Sequence, residues 1–528
     1  MIPLVAAPAL PPSTVLGFLL TLWLASPLAA QSTPPAPAPP PPWGQFRGPH
    51  GSGVAAPGDQ PPVHLNDALT AWKTPIPKGL SSPVIAGQRL FLTGFEAGRL
   101  VTLGLDRTTG AVVWRREAPE VPIEAVHETS SPAASTPYAD EHRVYVYFGS
   151  YGLICYDHEG HEQWTLPLPT PKSLYGMATS PIVHGENLIL VLDNDENLDG
   201  SQMSRSRIIA VKKSTGHMAW EASRPLVRSG WSTPVLWEHD GHSELVILGS
   251  GRVTGCDPDT GEEKWHVTGF SKETIALPVT GSGMVYVSSA QLGGGADEKV
   301  DPQPFWEAVM QFDTNADGRL ERSEMTGAFT FPLRPELPPT HPGFGLPLPS
   351  DPTARKERLD GILGWVDKDK DGFWTKEEFA ETTAARQGKP RLMAIRPGGR
   401  GDVTNTHAAW EMHRHIPEIP SPLFYENRLY MVRNGGLLAA IDATNGEVIY
   451  AERLGRSSGQ YSASPVAANG HLYLVSNRGQ ISVVPATGPF SLIHQHDLND
   501  PVFVTPAIDS STIYFRSESF LWAFRTRP

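Results

Sequence analysis

The 528-residue sequence has only two cysteines, so it is not a disulfide-framed scaffold. Acidic residues outnumber basic ones, 56 to 43, and the net charge of −13 comes without a basic stripe. Nucleic acid is therefore excluded as an expected partner. The pattern Gly-x-Ser-x-Gly occurs once, at residues 455–459, and His-Glu-x-x-His does not occur. Zinc proteolysis of that type thus has no support.

An apolar run at residues 15–25 is too short to span a membrane comfortably, and small residues follow it. This pattern predicts a signal peptide over residues 1–30 and a proline-rich linker over residues 31–42. No Lys or Arg precedes the run, so a retained anchor or a chance apolar leader stays open. No Cys follows it to carry a lipid. We expect a periplasmic or secreted protein with no transmembrane span in the mature chain.

A strand, tight turn and strand recur along the chain, with an aromatic residue shortly after each turn. An Asp or Thr side chain can hydrogen-bond the turn backbone, Gly can adopt positive φ, and the aromatic residue is an apolar anchor. Evenly spaced copies are typical of a propeller or a solenoid. The copies span Asp106 to Trp114, Asp157 to Trp164, Lys212 to Trp220, Asp257 to Trp265 and Asp442 to Tyr450. Cys155 and Cys256, aligned on these turns, should face opposite sides of different sheets, which disfavours a disulfide.

A second element precedes each turn: a proline at the start of a strand, where it loses no ladder hydrogen bond. It occurs eight times, at Pro83, Pro137, Pro181, Pro234, Pro278, Pro422, Pro465 and Pro506. The sequence therefore predicts an all-β, eight-bladed β-propeller. Seven blades is the alternative, because the turn at residues 485–488 lacks its aromatic anchor. An orphan strand around Trp72 is expected to complete the last blade and close the ring.

The fifth unit is interrupted, because about a hundred residues separate its second and third strands. We predict a propeller over residues 43–290 and 391–528, with an inserted domain over residues 291–390.

The insertion contains two twelve-residue segments with the spacing of EF-hand calcium loops, at 313–324 and 367–378. Oxygens at the first, third and fifth positions, a Gly at the sixth, a carbonyl at the seventh and a Glu at the twelfth can surround one Ca²⁺. The predicted ligands are Asp313, Asn315, Asp317, Arg319, Glu321 and Glu324 in the first loop, and Asp367, Asp369, Asp371, Phe373, Thr375 and Glu378 in the second. The alternative is an acidic loop that keeps the fold without metal.

Apolar spacing predicts helices that enter both loops, and the proline-rich connector predicts a short exit helix after the first. Leu320 and Trp374 should pair between the loops. A third acidic run, residues 193–200, lacks the closing Glu and is interpreted as a solvated loop, with a secondary cation site as the alternative. Four further residues lie in predicted loops or strand ends that could line the central funnel of the propeller: His127, Trp231, Arg252 and Arg400. Residues in such positions more often have a structural role than a functional one.

The turn repeats with Trp resemble the tryptophan-docking motif of pyrroloquinoline-quinone (PQQ) type propellers, from residue 43 to 524 without the insertion. That family includes the BamB-type assembly factors and the quinoprotein dehydrogenases. The dehydrogenases of that family hold PQQ against a disulfide between adjacent cysteines, and this sequence has no adjacent pair. From the resemblance, PQQ is therefore not expected and no catalytic residue is assigned. The leading hypothesis is a calcium-binding module for a protein or polysaccharide ligand. A PQQ-dependent oxidoreductase and a calcium-gated enzyme are the alternatives.

Overall fold

A computed structural model describes residues 43–173, 175–196, 203–228, 230–290, 302–332, 339, 344–386, 390–455 and 459–526. The predicted signal peptide and linker lie outside these residues. No helix within the described ranges combines the length and the apolar character needed to cross a bilayer.

The first half of the chain is built from strands, which are listed here in chain order. The first strand and blade 1 are β1 (Thr70–Pro75), β2 (Val84–Ala86), β3 (Arg89–Glu96), β4 (Arg99–Asp106) and β5 (Val112–Glu117). Blades 2 and 3 are β6 (Tyr138–Ala139), β7 (Arg143–Phe148), β8 (Gly152–Asp157), β9 (Glu162–Pro167), β10 (Ile182–His184), β11 (Asn187–Leu192), β12 (Arg207–Lys212) and β13 (Met218–Ser223). Blade 4 and the start of blade 5 are β14 (Val235–His239), β15 (His242–Gly249), β16 (Arg252–Cys256), β17 (Glu263–Thr268), β18 (Val279–Gly281) and β19 (Met284–Ser289).

Three helices and four short strands follow before the propeller resumes. They are α1 (Gln303–Val309), β20 (Leu320–Glu321), β21 (Thr330–Pro332), β22 (Gly345–Pro347), α2 (Pro352–Val366), β23 (Phe373–Trp374) and α3 (Lys376–Arg386). Blade 5 ends with β24 (Arg391–Ile395) and β26 (Ala408–Met412), and β25 (Gly401–Asp402), between them in the chain, joins blade 4. Blade 6 is β27 (Leu423–Tyr425), β28 (Arg428–Arg433), β29 (Leu437–Asp442) and β30 (Val448–Arg453). Blade 7 is β31 (Val466–Ala468), β32 (His471–Val475), β33 (Gln480–Pro485) and β34 (His494–Asp497). The last strands are β35 (Ala507–Asp509), β36 (Thr512–Arg516) and β37 (Phe520–Arg525).

These strands form eight antiparallel blades, which confirms the predicted all-β, eight-bladed propeller and excludes the seven-bladed alternative. Blade 5 joins β18 and β19 to β24 and β26, so the insertion lies between its second and third strands. Blade 8 is β35, β36 and β37 with β1 as its outermost strand, and Trp72 is aligned with Ala523. The chain therefore pairs its first strand with its last.

Five repeated tryptophans contact the turn of the next blade, not their own turn: Trp72, Trp114, Trp164, Trp220 and Trp410. Trp265 instead donates its indole N–H to Glu244 of its own blade at 2.6 Å. Trp114 donates its indole N–H to the carbonyl of His158 at 2.8 Å, and its ring lies where a side chain on Gly160 would stand. Trp72 reaches Gly110 of blade 1 in the same way and bonds the Arg107 carbonyl at 3.2 Å. The turn glycines have φ near +75°, and their missing Cβ makes room for the ring. The motif thus joins neighbouring blades and joins blade 8 to blade 1.

A belt of hydroxyl groups joins the blades nearer the axis, at the residue before each strand-opening proline. The Thr136 hydroxyl accepts from the Ser82 N–H of blade 1 at 2.9 Å. The same bond links blades 2 to 3, 3 to 4, 5 to 6, 6 to 7 and 7 to 8. Leu277 has no hydroxyl, so blades 4 and 5 cannot form it. Sequence reasoning explained the proline but missed the hydroxyl before it.

The segment from Trp43 to residue 60 crosses the propeller axis. The carbonyls of Trp43 and Gly44 accept from Ile85 of blade 1 and Ala139 of blade 2, at 2.8 and 2.6 Å. Gly53 accepts from Ala467 of blade 7, and the N–H of residue 60 then reaches blade 8. The segment therefore runs from blades 1 and 2 to blades 7 and 8 across the ring of innermost strands.

Candidate metal centre

The second acidic loop, residues 367–378, brings three aspartates together at the end of α2. Carboxylate oxygens of Asp367, Asp369 and Asp371 lie within 4.8 Å of one another. Gly372 has φ +92° and donates its N–H to Asp367 at 3.0 Å, which folds the loop around that carboxylate. Asp367 is 9% exposed, and its Oδ1 is buried without a hydrogen-bond partner. Since an unpaired buried carboxylate oxygen is costly, this atom is free to accept a ligand.

Glu378, at the closing position of this loop, faces its backbone. One of its oxygens accepts from the N–H of Lys368 at 2.7 Å, and the other accepts from the N–H and hydroxyl of Thr375 at 3.1 and 2.9 Å. Burial opposes ionisation of Glu378, but these donors outweigh it and lower its pKa. The loop therefore keeps a charged carboxylate at its closing position. Phe373 donates its N–H to Asp371.

The first loop, residues 313–324, has the same hydrogen-bond pattern. Asp313 accepts from Gly318 at 3.0 Å, and Glu324 accepts from Thr314 at 2.7 Å and Glu321 at 3.0 Å. Burial opposes ionisation of Glu324, but the backbone donors outweigh it and lower its pKa. Asn315 stands where the second loop has Asp369, and Glu321 stands where the second loop has Thr375, so both loops place four carboxylates at the predicted ligand positions. Asp317 accepts from the N–H of Arg319.

The two loops contact each other. β20 and β23 pair antiparallel with Leu320 opposite Trp374, as the sequence predicted, and both side chains are fully buried. The Arg319 guanidinium lies 4.1 Å from the centre of the Phe373 ring. Arg319 and Phe373, the seventh residues of the two loops, therefore contact each other beside this strand pair. Leu359, Val366 and Phe379 belong to the same apolar core.

The expected exit helix after the first loop does not form, and this part of the prediction is wrong. Residues 322–328 make turns, and β21 then pairs with β22. Prolines restrict this connector and remove backbone donors that a helix would need.

The third acidic run was also misinterpreted where the structure describes it, at residues 193–196. Asp193 and Asp195 are buried and not solvated, and Asp193 forms a 2.7 Å ion pair with the buried Arg224. Burial raises the pKa of Asp193 to about 6, against the opposing effect of Arg224. Residues 197–200 of the run lie outside the described residues.

The four funnel candidates do not form one site. His127 and Trp231 are linked through the Tyr175 ring, whose centre lies 5.0 Å from each. Arg252 bonds Glu263 at 2.5 Å in blade 4. Arg400 is exposed in the loop between β24 and β26, which adds β25 as a parallel fifth strand to blade 4.

Sequence reasoning missed Glu124, which precedes His127 in the loop between blades 1 and 2. Its Oε1 is buried without a partner, and its N–H donates to Ser150 Oγ at 3.0 Å. Burial raises the pKa of Glu124 to about 7 despite hydrogen bonds from Ser150 and Met177. The sequence of this loop has no hydrophobic periodicity, so no pattern in it could have predicted that the Glu124 carboxyl is buried.

The two cysteines are free and buried, in β8 and β16. Burial raises the pKa of both thiols, that of Cys256 to about 11. They are structural side chains of the blades.

The eight blades and the tryptophans that dock on neighbouring turns define a PQQ-like repeat propeller. A family model described as "Outer membrane protein assembly factor BamB" matches residues 48–173, 98–298 and 391–521, which is more than half of the chain. The chain belongs to this family. The matched segments leave out residues 299–390, where the two acidic loops lie.

Several solved structures are similar at low identity. BamB from Moraxella catarrhalis is 10% identical, with 87% of this chain and 99% of that chain covered and a TM-score of 0.49. A europium-containing methanol dehydrogenase is 11% identical, with 90% and 89% covered and a TM-score of 0.47. The quinohemoprotein alcohol dehydrogenase ADHIIG from Pseudomonas putida HK5 is 14% identical, with 93% and 81% covered and a TM-score of 0.41. No curated protein matches the sequence.

Proposed function

We propose that this protein is an exported, calcium-binding propeller that serves as a binding or assembly module for a protein or polysaccharide in the cell envelope. Its family carries the description of an outer membrane assembly factor. The predicted leader supports export, and the loops at the ends of eight blades offer a broad surface for a ligand.

The observation that carries the calcium assignment is the unpartnered Oδ1 of Asp367, beside the carboxylates of Asp369 and Asp371. Hard oxygen donors in this spacing suit Ca²⁺. The carbonyl of Phe373, Thr375 and Glu378 would complete the shell, and bound calcium would supply local order by neutralising the carboxylates. The first loop would hold a second ion through Asp313, Asn315, Asp317, Arg319, Glu321 and Glu324. For extracellular modules, affinities are on the order of 10⁻⁴ to 10⁻³ M.

A quinone-dependent oxidoreductase remains the second candidate and fits the described residues less well. The cysteines lie in different blades, so they offer no adjacent pair. The segment from Trp43 to residue 60 also crosses the ring of innermost strands.

One experiment separates the two functions. Purified protein would be incubated with PQQ and calcium, and dye-linked oxidation of alcohols and sugars would be measured. We expect no turnover above that of protein without PQQ. Turnover that requires both additions would place the oxidoreductase first.

The binding role would be tested with the immobilised protein and a native envelope fraction. We expect at least one protein or polysaccharide to be enriched over an immobilised acidic protein of similar charge. Repeating the capture with the variant Glu324→Gln, Glu378→Gln would show whether retention needs calcium. Enrichment no greater than on the control protein would contradict the module.

A further inference from the structure

Two histidines stand on β34, the outer strand of blade 7, where the segment that leads into β1 passes it. His494 and His496 lie two positions apart in this strand, so their side chains leave the same side of it. Gln495, between them, points the other way and donates to the carbonyl of Leu454, which follows the last strand of blade 6, at 3.0 Å. The two histidines therefore point away from blade 6.

The segment before β1 brings a third histidine and a carboxylate to the same side of the strand. The ring of His64 stands nearly perpendicular to that of His494, with 5.4 Å between the ring centres. Asp67 places its Oδ1 3.7 Å from Nε2 of His496. Three imidazoles and one carboxylate, from two segments that are distant in the chain, are therefore gathered at one place on the outside of the propeller.

The hydrogen bond of His494 prepares this ring as a ligand. Its Nε2 lies 2.5 Å from the Leu65 carbonyl. A carbonyl only accepts hydrogen bonds, so Nε2 carries the proton and Nδ1 keeps its lone pair. Histidines that bind metals usually donate their other ring N–H to a carbonyl or carboxylate in this way, which fixes the ring and its tautomer. His494 thus has the outer contact of a metal ligand.

The protonation and mobility of the other residues also suit a metal. Burial lowers the pKa of His496, as does the neighbouring His494, against the opposing effect of Asp67. Neutral imidazole is the form that binds metals. His64 is exposed, and the side chain of Asp67 is 98% exposed. Both can therefore turn toward the strand histidines without repacking a blade, which would join the two separate contacts around one ion.

We propose that His64, His494, His496 and Asp67 bind one divalent transition-metal ion of the zinc class. Three imidazole nitrogens and one carboxylate oxygen suit tetrahedral Zn²⁺, whereas Ca²⁺ prefers oxygen ligands alone. This site is therefore chemically distinct from the acidic loops. Its ion ties the segment that leads into β1 to blade 7, and so strengthens the closure of the ring.

Zinc titration calorimetry on the full-length protein tests the site, with excess calcium present to occupy the acidic loops. We expect the wild type to bind one Zn²⁺ per chain. His64→Gln and His494→Gln should each weaken zinc binding at least about tenfold, because even the loss of an outer hydrogen-bond partner costs about tenfold to a hundredfold. His471→Gln is the matched control, since His471 lies in β32 of the same blade and bonds the Asn469 carbonyl instead. It should bind zinc like the wild type.

Thermal unfolding with and without zinc separates lost coordination from misfolding. His64 is exposed, so His64→Gln should melt like the wild type when zinc is absent. Zinc should raise the melting temperature of the wild type and leave that of His64→Gln unchanged. A wild type that binds no zinc in excess calcium, equal zinc binding by the wild type and His64→Gln, or an equal loss in His471→Gln would each overturn the proposal.

Discussion

Replacing Gly110 with Ala should detach the strand that closes the ring. Gly110 has φ +75°, and an added Cβ would stand 2.4 Å from the Trp72 ring and 2.7 Å from the Thr74 hydroxyl. Gly98 is the matched control, since its φ is +79° and nothing lies within 4 Å of its added Cβ. Both variants pay about 1–2 kcal/mol for a left-handed alanine. Gly110→Ala also overpacks the docking site, which costs about 1–3 kcal/mol more.

Urea unfolding followed by far-UV circular dichroism would measure both losses. We expect Gly110→Ala to be less stable than Gly98→Ala by about 2 kcal/mol. Chymotrypsin should also cleave next to Trp72 faster in Gly110→Ala, because β1 is released from blade 1. Equal stability and equal cleavage of the two variants would refute the docking of Trp72 as the closure of the ring.

Three further predictions concern buried polar groups. The pKa of Glu124 is raised by burial to about 7, so its folded state holds a proton that the unfolded state releases above about 4.5. The free energy of unfolding should therefore fall by up to about 1.4 kcal/mol per pH unit as the pH rises from 4.5 to 7. In urea melts, Glu124→Gln should flatten this dependence of stability on pH. An unchanged slope would contradict the burial of the Glu124 carboxyl. Thr136→Val leaves the Ser82 N–H unpaired and should lower the free energy of unfolding by about 1–3 kcal/mol. The control Thr102→Val removes a buried hydroxyl that has no partner and should lower it less. Equal losses of stability would argue against the belt of hydroxyl groups. Neither buried thiol should react with a disulfide reagent until the protein unfolds, and rapid native labelling would contradict their burial.

The repeated elements made the fold predictable from the sequence. Glycine turns with an aromatic anchor and prolines at strand starts have local causes, and eight copies define both the blade count and the closing strand. The pairing of Leu320 with Trp374 was predictable for the same reason, because loop spacing fixes which residues face each other.

Contacts between distant segments could not be predicted in this way. The segment after Trp43 has no periodicity, so nothing in it indicated a path across the axis. Asp193 was interpreted as solvated because its run is acidic, but its partner Arg224 lies in another loop. Whether a carboxylate is solvated or buried depends on tertiary packing, which charge composition does not report.

Titration calorimetry with calcium tests the proposed metal centre most directly. We expect the wild type to bind two ions at millimolar calcium or below, and the variant Glu324→Gln, Glu378→Gln to lose both. Asp367→Asn alone should remove binding at the second loop and keep it at the first. Equal heats from the wild type and the double glutamine variant would contradict the calcium assignment.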